Sequence, residues 1–446
     1  MEIAGSRWDV VVVGAGTAGS TAALHLARAG RRVLVVDARA AGESGAQWVN
    51  AIPDWMFERA GVSVPTARPE LRSRAERHVM VDPEWTHRVV LEGSPVLFVD
   101  MRHLVERLQR LAVDAGATIV HEAPVREVLF EGERVVGVRT TRGEVRATMV
   151  IDASGFAGVV RTKVPFLREH CPSPRTTDVC SAAQEVRHIA DREGARRWLE
   201  AHGSPGDALG VIGLEGGYST RMVQVDLAAG EVEILTGAIA ERGRLSGQGL
   251  IDEFVRKEPW VGERIFGGGG AIPLRRPYDR LSAPGVALVG DAACQVFPAH
   301  GSGVGAGMIA ARQLAEAIAP SDGDGTDPGP RYEAEFHRTL GARLAAYDVF
   351  RRLSQGFSRD DVSRMLAAGL INELTFEAGL AQEMPELGAA AVLRLGSAAI
   401  RAPRLAARLA PAVIRMQLAH ALFQRYPRSH RLQGAWARAA DRIVGA

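Results

Sequence analysis

The N-terminal part of the chain shows two short apolar runs separated by an amphipathic stretch. Residues 10–13 and 33–36 are uninterrupted apolar runs of the kind that forms buried strands of a parallel sheet. Between them, residues 17–28 repeat their apolar positions with the period of a helix. The order strand, helix, strand predicts a βαβ unit over residues 8–41.

Two later segments are predicted to return to the same sheet. Residues 96–165 begin with a helical pattern around residues 102–115 and continue with strand-like runs that end at residues 149–152. Residues 285–291 form a further apolar run that ends in an acid. The nucleotide-binding part of the chain is therefore expected to be discontinuous.

The remaining segments follow other patterns. Residues 178–240 alternate apolar and polar positions, which predicts antiparallel strands of a second sheet. Residues 42–94, rich in Pro, Trp and Arg, indicate a loop-rich insertion reaching toward a substrate, and residues 321–330 a turn-rich linker. We therefore predict a Rossmann-like domain in three parts (1–60, 96–165, 269–320), a loop-rich insertion (61–95), a β-sheet substrate domain (166–268) and a C-terminal helical region (321–446).

Composition narrows the class of protein. The 446 residues are 46 % apolar with a net charge of +2, which fits a globular protein and argues against a nucleic-acid-binding surface. No window holds about 20 uncharged apolar residues, so no transmembrane helix is predicted. An acid at position 2 and the immediate start of a strand predict that no signal peptide is present. We expect a cytoplasmic protein.

Cysteine and histidine spacing does not predict a metal. Cys171, Cys180 and Cys294 have neither CxxC spacing nor the number needed for a disulfide framework. The twelve histidines show no HExxH pattern. Free thiols are expected, with a redox pair between Cys171 and Cys180 as the alternative.

The turn after the first strand carries the most specific chemical signal. Gly14 is placed for the tight turn, Gly16 for the approach of backbone N–H groups to a pyrophosphate, and Gly19 for close packing of helix on sheet. Asp37 follows Gly14 by 23 residues, where an acid accepts a hydrogen bond from a ribose hydroxyl. Since strand, turn, helix, strand and acid are all in register, we predict a dinucleotide site rather than a purely structural turn.

A second signature lies in residues 269–306. Gly290-Asp291 ends a strand, so the carboxylate can bind a ribityl or ribose hydroxyl. The turn that begins at Pro298 opens the next helix, whose free N–H groups can stabilise negative charge on a bound ring. We predict that this turn and helix start contact the cofactor through Pro298, Gly301, Gly303 and Val304.

Together these motifs resemble the FAD-binding set of the para-hydroxybenzoate-hydroxylase-like flavoproteins. The segment Ala271-Ile-Pro-Leu-Arg-Arg-Pro followed by Gly290-Asp-Ala-Ala is similar to that of geranylgeranyl reductases. The resemblance implies an α/β fold with a Rossmann-like FAD-binding domain of the GR2/PHBH type, an inserted antiparallel β substrate domain and C-terminal helices. It also implies that Arg102 lies at the FAD phosphates.

Other features depart from these branches. Asp152-Ala-Ser-Gly resembles flavin-dependent halogenases, but their Trp-x-Trp-x-Ile-Pro motif is absent. The lysine with which those enzymes handle hypohalous acid has no obvious counterpart either, since Lys163 and Lys257 are the only lysines. The aromatic substrate motif of the lipid reductases is also missing, and Gly217-Tyr218-Ser-Thr-Arg221-Met occupies the corresponding place. Halogenation is therefore disfavoured, and the resemblance leaves the substrate open.

Two residues near the second signature are candidates for chemistry. His300 lies in the turn expected to abut the flavin and exchanges a proton near neutral pH, so it is the first catalytic candidate. A structural histidine that caps the turn is the alternative. Cys294 faces the cofactor in one interpretation and packs as a small apolar residue in the other.

Candidate substrate contacts come from two segments. Trp48 and Asn50 line a substrate cavity or belong to the core of the insertion. Tyr218 and Arg221 lie on a predicted strand whose period of two places them on opposite faces. Arg221 can bind an anionic substrate only if its face is the one directed at the flavin.

The resemblance implies an FAD-dependent oxidoreductase that transfers hydride between flavin N5 and a carbon of a hydrophobic or amphipathic small molecule, in specialised metabolism. The alternatives are a flavin C4a-hydroperoxide monooxygenase, a halogenase and a non-catalytic FAD-binding protein, because one fold serves several chemistries. No second Gly-x-Gly-x-x-Gly follows a later strand. The electron donor is therefore expected to be NAD(P)H visiting the flavin transiently, or another reductase. The oligomeric state stays open.

The C-terminal end has an uneven charge. From residue 388 onward there are ten arginines and one acid, Asp441. Arg401, Arg404, Arg408 and Arg415 fall near one face of a helix. This face is either solvated or lies against anionic lipid or an anionic substrate.

Overall fold

The computed structural model describes residues 7–239, 244–319, 327–385, 389–428 and 430–445. The strands are β1 (Arg7–Val13), β2 (Val33–Val36), β3 (Val49–Pro53), β4 (Leu71–Ser73), β5 (Arg77–Val81), β6 (Arg88–Glu92), β7 (Val96–Asp100), β8 (Thr118–Val120), β9 (Val125–Glu131), β10 (Arg134–Thr140), β11 (Gly143–Asp152), β12 (Val179–Ile189), β13 (Asp207–Ile212), β14 (Ser219–Asp226), β15 (Glu231–Ala238), β16 (Val261–Pro273), β17 (Ser282–Ala283) and β18 (Val286–Leu288).

The helices are α1 (Thr17–Arg28), α2 (Asp54–Ala60), α3 (Met101–Asp114), α4 (Pro165–His170), α5 (Arg192–His202), α6 (Gly247–Lys257), α7 (Val304–Ile318), α8 (Gly329–Phe336), α9 (Ala342–Ser354), α10 (Arg359–Ala368), α11 (Glu373–Ala381), α12 (Ala389–Arg401), α13 (Pro403–Phe423) and α14 (His430–Val444). A π-helical turn over His337–Gly341 joins α8 to α9.

The first sheet, which we call the parallel sheet, runs in the order β17-β18-β11-β1-β2-β8. Strand β1 pairs in parallel with both β11 and β2, and residues 10–13 are buried because sheet and helices cover both faces. Helix α1 packs against α3 and α7. The predicted βαβ unit and the helix near residues 102–115 are confirmed.

The second sheet, called the antiparallel sheet, runs in the order β16-β12-β15-β14-β13-β5-β6. Apolar side chains of α5 and α6, among them Trp198 and Phe254, cover one face. The small sheet β3-β7-β4 packs against the other face through residues such as Val49 and Phe98. The antiparallel sheet is therefore enclosed between helices α5 and α6 on one face and the small sheet β3-β7-β4 on the other.

Two predicted segment boundaries are wrong. Residues 61–95 are not a loop-rich insertion, since β5 and β6 form an edge of the antiparallel sheet and β5 pairs in parallel with β13. Strand β16 extends to Pro273, so the antiparallel sheet ends after the predicted boundary at 268. The short strands were missed because their apolar runs are brief and interrupted by Pro and Arg. Residues 321–326 of the predicted linker lie outside the described residues.

The C-terminal helices dock onto the parallel sheet through buried polar groups. The carboxylate of Glu333 in α8 is fully buried and accepts hydrogen bonds from the backbone N–H groups of Leu281 and Ser282. The hydroxyl of Tyr426 donates to the same carboxylate over 3.1 Å. Both carboxylate oxygens of this buried acid therefore accept hydrogen bonds, one from the parallel sheet and one from the C-terminal helices.

A buried cluster of ion pairs joins the C-terminal helices to the ends of strands β12 and β16 of the antiparallel sheet. Arg351 in α9 is fully buried and binds Asp348 and Asp178, the latter just before β12. Asp348 also accepts the backbone N–H of Arg276 over 3.0 Å. Arg276 of the reductase-like segment thus anchors the C-terminal helices.

Candidate functional site

The turn from β1 into α1 has the shape that a pyrophosphate requires. Gly14 has φ of +107°, and a Cβ atom there would lie 2.4 Å from the carbonyl oxygen of Ala153. A Cβ atom on Gly19 would lie 1.9 Å from the carbonyl oxygen of Gly14. Gly16 is the N-cap of α1, and no side chain caps the helix. The first N–H groups of α1 are therefore left for a ligand.

Asp37 lies at the end of β2 beside this turn. One carboxylate oxygen accepts the N–H of Ala15 over 2.6 Å, and the other accepts the N–H of Arg39 over 2.8 Å. Each carboxylate oxygen can accept a further hydrogen bond. Asp37 thus holds the glycine turn in place and retains acceptors for a ribose hydroxyl.

A second uncapped helix start lies close to the first. Gly303 is the N-cap of α7 and has no capping side chain. Cβ atoms on Gly307 and on Gly290 would lie 3.3 Å and 3.2 Å from the Cβ of Ala18 in α1. The two helices therefore approach through small residues, and their positive N-terminal ends lie on the same side of the parallel sheet.

Asp291 stands between these helix starts. Its carboxylate is half-buried and makes no hydrogen bond or ion pair with the described part of the chain, and its Oδ1 lies 3.0 Å from a Cβ position on Gly303. Burial raises the pKa of Asp291 to about 6. A carboxylate with open acceptors in this position is matched to a hydroxyl-bearing ligand.

The strand end that carries Asp291 is fixed from behind. Gln295 accepts the N–H of Gly290 over 2.7 Å and donates to the hydroxyl of Tyr332 over 2.7 Å. Tyr332, in α8, donates in turn to the carbonyl of Leu288 over 2.8 Å. The C-terminal region thus positions the second cofactor signature, a role for Gln295 and Tyr332 that sequence patterns did not indicate.

Arg102 occupies the first turn of α3. Its guanidinium pairs with Asp100 over 2.6 Å and stacks on Phe266 of β16 with the carbon 3.5 Å from the ring centroid. One turn later, Val105 lies 2.9 Å from a Cβ position on Gly45, which itself adjoins Gly16. Arg102 therefore lies near the pyrophosphate turn, held by two partners. Its remaining Nη1 makes no hydrogen bond with the described residues, and contact with FAD phosphates stays a prediction.

The turn over residues 298–303 is held from both sides. The backbone of Phe297 pairs with that of Ser302, and the Ser302 hydroxyl donates to the carbonyl of Ala51 over 3.3 Å. Gly301 has φ of +80°, which suits glycine. Pro298 is buried and Val304 begins α7. The turn is therefore rigid before any ligand binds.

His300 points from this turn toward α11. Its Nε2 lies 3.2 Å from the carbonyl oxygen of Gly379, and its ring packs 4.7 Å from that of Phe297. Part of the His300 side chain is exposed to solvent. The protein around the turn nevertheless desolvates the imidazole, and this lowers the pKa of His300 to about 4. His300 is neutral near pH 7, so this geometry supports the capping role more than proton exchange.

Two further side chains hold the end of α11 in the same way. The indole of Trp55 donates to the carbonyl of Ala381 over 2.9 Å, and the hydroxyl of Tyr347 donates to that of Glu383 over 2.6 Å. The last carbonyl groups of a helix lack intrahelical partners, so such donors fix its end. Helix α11 therefore closes the site above the turn.

Cys294 is a core residue. It is 1 % exposed and takes a left-handed conformation with φ of +55° at the end of a short 3-10 helix. Burial raises the pKa of its thiol to about 11, so the thiolate is scarce at neutral pH. These observations favour the packing role over the catalytic one.

The two candidates on β14 face in opposite directions. Tyr218, just before the strand, brings its hydroxyl to 3.4 Å from a Cβ position on Gly301. Arg221 instead lies over Phe254 of α6, with its guanidinium carbon 4.5 Å from the ring centroid. The expectation that Arg221 binds an anionic substrate is therefore corrected, because its face of the sheet is the one covered by helices.

Trp48 and Asn50 border the antiparallel sheet. The indole of Trp48 lies 3.4 Å from Cβ positions on Gly268 and Gly270, so the glycine run of β16 makes room for the ring. Asn50 lies in β3, on the face opposite Val49, and its amide makes no hydrogen bond with the described residues. Both remain candidates for contacts with a ligand.

The site thus combines two uncapped helix starts, glycines at close contacts and acids just after β2 and β18, a set that is typical of a dinucleotide-binding domain. The sequence profile described as FAD dependent oxidoreductase matches residues 9–167. Digeranylgeranylglycerophospholipid reductase 1 of Methanopyrus kandleri is 30% identical over 75% of this chain and 88% of its own. The chain belongs to the FAD-dependent oxidoreductases, in the family of geranylgeranyl-reductase-like proteins.

Other comparisons agree with this placement. Digeranylgeranylglycerophospholipid reductase of Sulfolobus acidocaldarius is 26% identical over 98% of this chain and 97% of its own. A geranylgeranyl bacteriochlorophyll reductase-like protein of Thermoplasma acidophilum superposes with a TM-score of 0.72 at 19% identity, covering 91% of this chain and 99% of its own. A flavin-dependent brominase reaches 0.64 at 16% identity, covering 90% and 100%. These two structures share the fold.

Proposed function

We propose that the protein reduces a carbon–carbon double bond of a hydrophobic or amphipathic small molecule. The names of its reductase relatives support an isoprenoid chain as the substrate. Residues 14–19, Asp37, Asp291 and the start of α7 would hold FAD, which would supply hydride chemistry there. The proposed electron donor is NAD(P)H or another reductase that visits the site.

The observation that carries this proposal is the position of the Tyr218 hydroxyl. Reduction of a double bond adds a hydride to one carbon and a proton to the other, so the protein needs a proton donor beside the flavin site. Tyr218 is buried, and its hydroxyl lies at the Gly301 turn without a hydrogen-bond partner among the described residues. The hydroxyl is protonated at neutral pH, as an acid requires, although burial raises its pKa and so makes it a weaker acid than an exposed tyrosine.

The surroundings of Tyr218 suit an apolar substrate. Side-chain atoms of Leu274 and Ile272 lie 3.5 Å and 3.8 Å from the same Cβ position on Gly301. Arg221 is on the other face of the sheet, and neutral His300 is engaged with α11. An apolar wall with one hydroxyl favours a hydrocarbon double bond over a charged substrate.

The positions of the lysines do not support halogenation. Lys257 lies on α6, behind the antiparallel sheet, and pairs with Glu253 over 2.5 Å. Lys163 is exposed in the short helix Arg161–Lys163. Since the chain has no other lysine, the halogenase-type lysine has no counterpart at the turn.

The test uses photoreduced holo-protein mixed anaerobically with polyprenyl lipids or smaller isoprenoid and aromatic alkenes. We expect a polyprenyl compound to reoxidise the flavin without oxygen and to gain two hydrogen atoms by mass spectrometry. Reoxidation that requires oxygen, with a gain of one oxygen atom in the product, would establish a monooxygenase instead. Flavin that resists reduction by every donor would indicate a non-catalytic protein.

Tyr218→Phe tests the proton donor. The variant is expected to retain FAD and to slow substrate reduction about 10²–10⁴-fold, the usual contribution of a positioned acid. Thr220→Val is the matched control, because its hydroxyl lies on the same strand face and already donates to the carbonyl of Val211 over 3.0 Å. Equal rates for wild type and Tyr218→Phe would remove Tyr218 from the mechanism.

A further inference from the structure

Helix α13 carries two apolar stripes on opposite faces. The inner stripe packs against α9 and α14 and contains Leu405, Ala412, Ala419 and Phe423. The outer stripe is exposed and repeats at intervals of four and three residues, through Ala407, Pro411, Ile414 and Leu418. One stripe explains the packing of the helix, and the second has no partner within the described chain.

Helix α12 also carries exposed apolar side chains. Leu393 and Ile400 are 74% and 82% exposed, and Ile414 in α13 is 61% exposed. Outside α12–α14, the most exposed large apolar side chain of the described residues is Val113, at 50%. Exposed apolar side chains are thus concentrated in the C-terminal helices, as at an interaction surface.

Arginines border this apolar surface. Arg401 and Arg404 make no ion pair or hydrogen bond with the part of the chain that the structure describes. Together with Arg364 they line an open cavity of about 370 Å³ between α10 and the start of α13. Arg364 is paired with Asp360 over 2.8 Å, which leaves Arg401 and Arg404 as the available cations.

We propose that this surface docks on an anionic lipid bilayer. The docking surface consists of Leu393, Ile400, Arg401, Arg404, Ile414 and Leu418. The apolar side chains would enter the boundary between headgroups and acyl chains while the guanidinium groups bind lipid phosphates.

Charge decides between a bilayer and a second copy of the chain. Residues from 388 onward carry ten arginines and one acid, so two copies that met through this surface would bring like charges together. An anionic bilayer complements both the charge and the apolar stripe. No helix of the described residues is long and apolar enough to span a bilayer, so the contact is peripheral.

The test is co-sedimentation of the holo-protein with vesicles of phosphatidylcholine, alone or mixed with phosphatidylglycerol. We expect binding to the anionic vesicles only, decreasing at high salt. Arg401→Gln/Arg404→Gln should weaken partitioning about 25-fold, since each arginine near an anionic surface contributes roughly fivefold. Ile414→Ser/Leu418→Ser should also weaken it, and this loss should persist at low salt.

Matched controls lie far from the docking surface. Arg126→Gln/Arg168→Gln removes two exposed arginines that have no partner among the described residues, and Val113→Ser/Phe130→Ser removes two exposed apolar side chains. Both should bind vesicles like wild type. Equal losses in the controls, or no binding to anionic vesicles, would overturn the proposal.

Light scattering of the free protein tests the alternative occupant. A dimer that Ile414→Ser/Leu418→Ser dissociates, without vesicle binding by wild type, would assign the surface to a second copy and overturn the proposal. Vesicle binding is measured without substrate, so its failure is distinct from a failure of alkene reduction. The variants should retain FAD and reduce a detergent-dispersed substrate at the wild-type rate.

Discussion

Replacement of Asp291 by Asn separates the two roles that the structure gives this carboxylate. The group is half-buried and makes no hydrogen bond or ion pair with the described residues, and burial raises its pKa from the usual 3.8 to about 6. With FAD bound, the same carboxylate is proposed to accept a hydrogen bond from a ribityl hydroxyl. Asp291→Asn removes the charge and preserves the shape of the side chain. It should therefore stabilise the apo-protein and weaken FAD binding.

The size of the first effect follows from the pKa. A folded-state pKa raised from 3.8 to about 6 means that the ionised carboxylate destabilises the folded apo-protein by at most about 3 kcal/mol at neutral pH. Partial exposure of Asp291 reduces this destabilisation to about 1–2 kcal/mol. Because the folded-state pKa is raised, the stability that the protonated carboxyl group of Asp291 provides is fully present below pH 3.8. It is lost as the pH rises through about 6. The advantage of Asp291→Asn over wild type should accordingly be near zero at pH 4 and complete above pH 7.

The second effect has the opposite sign. A hydrogen bond to a charged acceptor contributes about 1.5–3 kcal/mol, which corresponds to a loss of roughly 10- to 150-fold in FAD affinity. Asp291→Ala removes the acceptor altogether and should lose FAD during purification. Flavin fluorescence titration of the apo-protein measures the dissociation constant directly.

Thermal unfolding of both apo-proteins across this pH range completes the assay. Asp152→Asn is the control, because Asp152 accepts hydrogen bonds from the backbone N–H groups of Ser154, Val160 and Arg161. That variant should be less stable than wild type at pH 7, where these donors lose a charged acceptor. A pH-independent difference for Asp291→Asn, or an unchanged FAD dissociation constant, would refute the assignment.

Three further predictions concern single positions. His300→Gln should retain FAD, and because the pKa of His300 is about 4, wild-type turnover should show no His300 ionisation between pH 5 and 8; a kinetic pKa near 6.5 that His300→Gln abolishes would contradict this. Gly19→Ala should abolish FAD binding or folding, since its Cβ would lie 1.9 Å from a backbone oxygen. The control Gly396→Ala, whose Cβ would have nothing within 4 Å, should unfold at the wild-type temperature or slightly above it. Arg351→Ala should lower the free energy of unfolding by about 3–5 kcal/mol in urea titrations, because it removes the fully buried cation that bridges the buried carboxylates of Asp178 and Asp348, while Arg364→Ala should lower it by less than about 1 kcal/mol. Equal effects for the two arginine variants would contradict the assignment of a buried ion-pair cluster.

The sequence predicted correctly those features that depend only on neighbouring residues in the chain. The turn at Gly14 needs glycine because of its own backbone conformation, and Gly19 because of its contact with Gly14. Asp37 directly follows β2, and Asp291 lies in the short 3-10 helix Gly290–Ala293 just after β18, so the alternation of apolar runs and turns was enough to locate them. Helix α3 and strands β14 and β15 were predicted for the same reason, since their hydrophobic periods are regular.

Other features depend on which elements meet. Sequence spacing showed that Tyr218 and Arg221 lie on opposite faces of one strand, but only the packing of Phe254 on one face and Gly301 on the other decided which face is near the cofactor. Strands β5 and β6 were missed because short interrupted apolar runs become strands only through pairing with β13.

The charge states of His300 and Cys294 also depend on tertiary structure. Histidine near a flavin turn predicts proton exchange from its pKa in water, but desolvation lowers the pKa of His300 more than the hydrogen bond with the carbonyl of Gly379 raises it, so the ring is neutral. Burial likewise keeps the thiol of Cys294 protonated. The sequence by itself determined the dinucleotide site, because that site is built from local turns and helix starts. The tertiary structure decided which side chains face it and in which charge state, because burial and long-range contacts are not encoded in local spacing.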